Sequence, residues 1–332
     1  MLRQDRAECY AHFVITRIAC LLLAAALAIP AGAQTFPSRP IHLVVGFTPG
    51  GGVDINARLL AAKLSEIVGQ PVIVENKPGA GTNIANEYVA KSAPDGYTLL
   101  FNSPAVAINM SLYKNPGYDV LKDFVPVSVF SDSTNILVVP SSLPVKSVKE
   151  LVALAREKPG ALNFSSAGAG TTQHLAGELF KLRTGTQMVH IPYRGSAPSI
   201  AALLSAEVQL SFVNPLAIGP HVKSGRLRAL AVAGPRRAPL LPEVPTMKEG
   251  GVEGVEVPLW FGMLAPAGTP REIVAALAAG VVRAAKDPGT IKRLEEQGGE
   301  PVGGTSEEFA ALLHEEVTKW AEVVRVSGAK SN

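Results

Sequence analysis

Residues 41–52 read Ile-His-Leu-Val-Val-Gly-Phe-Thr-Pro-Gly-Gly-Gly, and residues 162–172 read Leu-Asn-Phe-Ser-Ser-Ala-Gly-Ala-Gly-Thr-Thr. In both, a short apolar run leads into a glycine-rich loop and then into a segment of helical period. Ile41 to Phe47 predicts a buried strand, Thr48 to Gly52 a loop, and the chain from about Asp54 a helix. That helix carries Ile55, Leu59, Leu60, Leu64, Ile67 and Val68 on one face and stops at Gly69, where a left-handed glycine is expected. The second copy predicts a strand from Leu162 to Ser165, a loop from Ser166 to Gly170, and a helix from Thr171 to Thr184. Leu175, Leu179 and Leu182 turn inward there, and Gly185 closes it.

Outward from these two stretches the alternation continues. Val72 to Val74 reads as a strand, Pro78-Gly79-Ala80-Gly81 turns into a helix, and Tyr97 to Phe101 is a further strand. Met188 to Ile191 and the helix Ala197 to Ser205 repeat the pattern later. Strand, loop and helix in this order predict parallel sheets covered by helices, in two lobes built on one plan. The lobes are expected at 34–135 plus 256–332 and at 136–255, with Val257 to Ala265 returning the chain to the first lobe. The last helix, with Phe309, Leu313 and Trp320 on one stripe, then packs there. Ser147 with Glu150, Thr269 with Pro270 and Glu272, and Thr305 with Glu308 match capping boxes.

Composition narrows the functional classes. The chain has 332 residues, 47% of them hydrophobic and 18% charged, enough for two cores. Its 31 basic and 28 acidic residues give no field that would attract nucleic acid or a membrane surface. Arg3, Arg6 and Arg17 precede an apolar run from Ile18 to Ile29, then Pro30 and the small residues Ala31-Gly32-Ala33. This predicts a signal peptide over 1–33, cleaved after Ala33, and a periplasmic protein. Both cysteines, Cys9 and Cys20, fall inside it, so the mature chain is expected to have no disulfide and no thiol chemistry.

Glycine loops that open helices suit an anion. The first N–H groups of a helix have no partner within it, the helix dipole is positive at that end, and glycine lets the anion approach. Gly50 to Val53 and Gly168 to Thr171 each supply such an end. Thr171 and Thr172 can donate to a ligand or cap the helix, and the sequence leaves both roles open. Asp54 reads as a cap or a contact between lobes. Ser103, Tyr193 and Asn214, each after a strand-like run, read as pocket walls or as plain packing. Arg194 reads as a surface or hinge residue, and His174 as a residue that fixes the second loop by bonding its backbone.

Several stretches carry a family resemblance: 45–54 (VGFTPGGGVD), 74–81 (VENKPGAG), 93–100 (APDGYTLL), 165–175 (SSAGAGTTQHL), 191–198 (IPYRGSAP) and 264–270 (LAPAGTP). The chain resembles the Bug family, the substrate-binding proteins of tripartite tricarboxylate transporters, over essentially its whole mature length. The resemblance implies an α/β type II periplasmic binding-protein fold with a ligand cleft between two lobes. It also implies a small carboxylate held by Phe47, Thr48, Pro49, Gly50, Gly51 and Gly52 of one loop. Ser166, Gly168, Gly170, Thr171 and Thr172 of the other complete the grip. Thr82 stands where glycine is common and Gly46 where proline is common. The expected partners are transporter subunits, or a sensor protein in the alternative reading, and the protein is expected to be a monomer. No cofactor or metal is expected. An enzyme is disfavoured, because no Gly-x-Ser-x-Gly elbow, P-loop or paired-histidine spacing occurs; a hydrolase assembled from residues distant in sequence is the less favoured alternative. The exported protein should begin at Gln34, which its intact mass checks; retention of 18–29 would overturn the cleavage site.

Overall fold

The computed structural model describes residues 36–331 except Gln297. The expected signal segment, its cleavage site, Cys9 and Cys20 lie outside the described residues. In chain order the elements are β1 Ile41–Val45, α1 Gly52–Val68, β2 Val72–Asn76, α2 Asn83–Ala90, β3 Thr98–Asn102, α3 Ala105–Leu112 and β4 Phe124–Ser133. Then come β5 Ile136–Pro140, α4 Val148–Glu157, β6 Leu162–Ser166, α5 Thr172–Thr184, β7 Met188–Pro192, α6 Ser196–Leu204, β8 Leu210–Val213, α7 Pro215–Lys223 and β9 Leu227–Val232. The chain closes with β10 Leu259–Pro266, α8 Arg271–Ala285, α9 Pro288–Glu296, β11 Glu300–Pro301 and α10 Ser306–Ser327.

Two sheets result, a six-stranded one ordered β11-β4-β10-β3-β1-β2 and a five-stranded one ordered β7-β6-β8-β5-β9. The predicted parallel pairing holds inside each strand-helix-strand unit: β1 pairs parallel with β2 and β3, and β6 with β7 and β8. The strands on either side of the crossings run antiparallel: β10 against β3 and β4, β5 against β8 and β9. They reach their sheet from the other one, not through a helix laid over its face, so nothing forces them to be parallel. Only Thr134 and Asn135 separate β4 from β5. From Arg39 onward the chain forms one compact unit.

Several helix ends are built as the sequence predicts. Gly69 and Gly185 are left-handed at φ 71° and 61° and close α1 and α5. Thr305 and Glu308 form a reciprocal capping box. Ser147 accepts from Glu150 N–H, but the Glu150 carboxylate reaches the N–H of Lys146, one residue early. Thr269 does not cap α8: its hydroxyl donates to Pro266 C=O at 2.7 Å, tightening the turn, and the helix starts after Pro270.

Two packing expectations also change. Leu182 is 45% exposed, and Phe180 fills the inward position, its ring edge-on to Phe212 at 6.1 Å. The last helix does more than cover the first sheet. It packs on α3 and β4 and also reaches α5, with buried Trp320 in one cluster with Ile108, Leu175 and Phe180. The long stripe that predicts its burial is therefore shared by both halves of the molecule.

Gly46 and Thr82, the two departures from the family pattern, touch each other. A Cβ added at Gly46 would lie 2.6 Å from Thr82 Cβ and 3.0 Å from its Cα. Thr82 has φ 87°, a conformation that favours glycine, and its hydroxyl accepts from Asn86 Nδ2 at 3.1 Å. The missing side chain at 46 thus makes room for the extra one at 82. Gly46→Ala should cost about 1–3 kcal/mol in urea unfolding through overpacking, and most of that cost should vanish when Thr82→Gly is added. Additive effects would show that the contact is slack.

Candidate functional site

The loops leaving β1, β3, β6, β7 and β8 converge on one cavity, as expected at the carboxyl ends of parallel strands. Its enclosed space is small, about 30 Å³, and it is lined by Phe47, Gly51, Gly52, Val53, Ser103, Asn135, Ala167, Thr171, Thr172, Gln173, Ser196, Asn214, Leu259 and Phe261. None of these side chains carries a formal charge. Gly51, Gly52 and Val53 are the N-cap and first two residues of α1, and Thr171, Thr172 and Gln173 hold the same places in α5. Ser196 opens α6. Helix geometry leaves the leading N–H groups at each of these starts without an intrahelical acceptor. The wall therefore offers amide hydrogens, hydroxyls and carboxamides beside five apolar side chains, Phe47, Val53, Ala167, Leu259 and Phe261.

Of the residues singled out from sequence, the structure brings Phe47, Gly51, Gly52, Ser103, Thr171, Thr172 and Asn214 together in this wall. Thr48, Pro49, Gly50, Asp54, Ser166, Gly168, Gly170 and Tyr193 lie outside the lining. Gly50 donates its N–H to Asp54 Oδ2 at 2.9 Å. Tyr193 points its hydroxyl at Glu207, 3.1 Å away. Thr171 is a cap: its Oγ1 accepts from His174 N–H and donates its proton to Gly168 C=O at 2.8 Å. The wall also contains Asn135, Gln173 and Ser196, which sequence reasoning did not single out. Gln173 Oε1 accepts from Ala167 N–H at 2.8 Å and its Nε2 donates to Ser196 Oγ at 3.1 Å, tying three loops together. Gln173 was within reach of the sequence as a polar residue in the first turn behind the second glycine loop.

The profile of the tripartite tricarboxylate transporter family receptor matches residues 56–328. The chain belongs to that family. It is 39% identical to the protein BugT of Bordetella pertussis over 315 residues, 94% of this chain and 97% of BugT. The solved periplasmic binding protein BugD superposes with a TM-score of 0.86 at 34% identity, covering 90% of this chain and all of BugD. Rpa4515 of R. palustris, solved with adipate, is 40% identical with a TM-score of 0.86, covering 89% of this chain and 99% of that one. The fold is that of the periplasmic binding proteins, and the family is one of solute receptors. Among the described residues no helix is long and apolar enough to cross a membrane.

The charges of Asp54 and Arg58, beside the first loop, are not part of the cavity lining. Burial raises the Asp54 carboxyl, but the Arg58 guanidinium, Gly50 N–H and Asn76 amide outweigh it and hold the group below its ordinary value. Asp54 is thus an ionised brace. It fixes Gly50, while Asn76 Nδ2 also bonds Phe47 C=O at 2.9 Å, so the loop is gripped from behind.

The second loop rests on a stack of rings. Phe164 and His190 lie 4.8 Å apart, and His190 and His174 4.0 Å, with nearly parallel planes. His174 Nδ1 accepts from Gly170 N–H at 3.3 Å, and His190 Nε2 meets Ser166 Oγ at 2.6 Å. Burial, with Lys181 nearby, lowers His174 to about 4; burial, His174 and Lys181 lower His190 to about 2. Both imidazoles are neutral in the fold and regain an ordinary value near 6.5 when unfolded. Their contribution is complete above that pH and is lost as acid drives the unfolded chain to bind protons. Thermal stability should fall between pH 6.5 and 4, His174 alone accounting for about 2 kcal/mol at pH 5. His190→Phe, which keeps a ring in the stack, should make the fall shallower; an unchanged slope would remove the histidines as its cause.

Proposed function

We propose that this chain is an exported receptor that holds a small carboxylate between the starts of α1 and α5 and hands it unchanged to the membrane subunits of a tripartite tricarboxylate-type transporter. The observation that carries the reading is the uncharged wall with the N-cap and first two residues of both helices in it. Each helix end contributes about 0.3–2 kcal/mol to a bound anion, and each charge-assisted hydrogen bond about 1.5–3 kcal/mol. Four or five such contacts reach about −8 kcal/mol, a micromolar affinity, with no arginine involved. Adipate in the R. palustris relative supports a small carboxylate as the ligand class. A periplasmic location, with the signal segment removed after Ala33, fits the family.

The two lobes in this reading are 34–135 plus 256–332 and 136–255. Their loops already meet: a Cβ at Gly195, where φ is 132°, would lie 2.1 Å from Thr48 Oγ1, and Tyr113 OH donates to Ala169 C=O at 3.4 Å. Ligand contacts that require both helix starts favour this closed arrangement over an open one.

A thermal-shift screen of small carboxylates should give at least one clear hit, since a ligand at a hundred times its Kd adds about 2.7 kcal/mol. With that hit, calorimetry separates the modes of holding. Gly52 has ordinary backbone angles, and a Cβ there would meet Asn214 at 3.4 Å and Phe261 at 3.5 Å inside the cavity. Gly52→Val should therefore abolish binding in a folded protein, while Arg194→Ala, at an exposed site, should stay within about tenfold of wild type. The reverse pattern would put a guanidinium clamp in place of the helix ends.

A further inference from the structure

A larger cavity lies on the other face of β10 from the one at the helix starts. Successive side chains of a strand point to opposite faces; Phe261 lines the first cavity, and Trp260 lines one of about 540 Å³. That volume is in the range of sites that enclose a small organic molecule. Ser133 and Thr134 of one crossing and Pro258 and Leu259 of the other form part of its wall, and Leu259 is shared by both cavities. Much of the wall is apolar: Pro239, Val302 and Leu312 lie in it beside Trp260 and Phe309, whose rings meet edge-on at 5.0 Å. The charges around it do not cancel. Arg236 pairs with Glu300 and Arg237 with Glu249, while Asp132, partly buried in the same wall, forms no ion pair among the described residues. In the sheet Asp132 stands between Trp260 of β10 and Glu300 of β11. Two carboxylates directly opposite on neighbouring strands repel. Burial and Glu300 raise the Asp132 pKa, and Arg236 offsets this only in part.

We propose that this cavity is a second binding site, for an organic amine whose ammonium pairs with Asp132 while its apolar body lies against Pro239, Val302 and Leu312. The site is separate from the one assigned to a carboxylate and does not depend on that reading. An anion would meet Asp132 and Glu300 with both guanidiniums already engaged. A neutral occupant would cover the Asp132 carboxylate without replacing the water it loses. An ammonium brings the missing charge and three N–H donors. The apolar wall adds burial that a bare cation would not use. Since the two cavities share only the side chain of Leu259, amine and carboxylate bind side by side and not in competition.

Calorimetry with tryptamine and tryptophol, which share the indole ring and differ in an ammonium against a hydroxyl, tests this on the purified protein. Tryptamine should bind about tenfold or more tightly than tryptophol, and Asp132→Asn should bring the two within about twofold of each other. Methylamine, a head without a body, should bind at least about tenfold more weakly than tryptamine. Arg236→Ala, at an exposed position, frees Glu300 and should tighten tryptamine about threefold or more while leaving tryptophol unchanged, so the charge is read even if the Asp132 variant does not fold. No tryptamine binding, equal binding of the alcohol or of methylamine, or a preference unmoved by these two substitutions would each overturn the proposal. So would displacement of tryptamine by the carboxylate found in the thermal-shift screen, which would put the amine in the first cavity. A screen that finds no carboxylate removes the receptor reading and leaves the amine measurements as they stand.

Discussion

A helix cannot satisfy its own first N–H groups, and this protein brings the starts of α1 and α5 to a single cavity. The rest of the site follows from that arrangement. The parallel strands β1 and β6 aim their carboxyl ends at the same space, each followed by a glycine loop short enough to begin a helix at once. Side-chain bulk at the start of α1 would occupy the volume that the amides must face, and Gly52, already 3.4–3.5 Å from Asn214 and Phe261 at its absent Cβ, has none to give. Positive character is thus built from backbone, which neither titrates nor reorients, and the wall remains neutral with no ligand bound.

Such a site fails if its loops can relax, and the strongest polar contacts in the neighbourhood are spent behind them. Asp54, itself buried, and Asn76 hold the first loop by its backbone, with Arg58 balancing the carboxylate. The ring stack of Phe164, His190 and His174 grips the second through Gly170 and Ser166. Gln173 spans from Ala167 to Ser196. The ionised brace is not part of the cavity lining, so it orders the backbone without placing its carboxylate in the wall.

The parts legible in the sequence are those governed by local rules. Period-3.6 runs, glycines at left-handed helix ends such as Gly69 and Gly185, and the Thr305–Glu308 box depend on residues within one or two turns of each other. What escaped depends on distant partners. Leu182 obeys the helical period yet is exposed, because Phe180 meets Phe212 from another strand. Thr269 has the composition of a cap, but a turn at Pro266 claims its hydroxyl. Gly46 and Thr82 look like two unrelated departures 36 positions apart and make sense only as a pair in contact. Asn135 belongs to no motif; a polar residue between two apolar strands is its whole signal.

The position of Asn135 ties the second helix start to the crossing between the sheets. Its backbone C=O accepts from Ala233 N–H and its Nδ2 donates to Thr172 Oγ1 at the start of α5. That start is therefore fixed twice, to its own loop through the Thr171 cap and to the crossing through Asn135. Only contacts that differ between two arrangements can shift the balance between them, and a contact that needs the amides of both helix starts is of that kind. Helix ends supply such a grip in common for any small anion, which leaves the uncharged side chains of the wall to separate one from another.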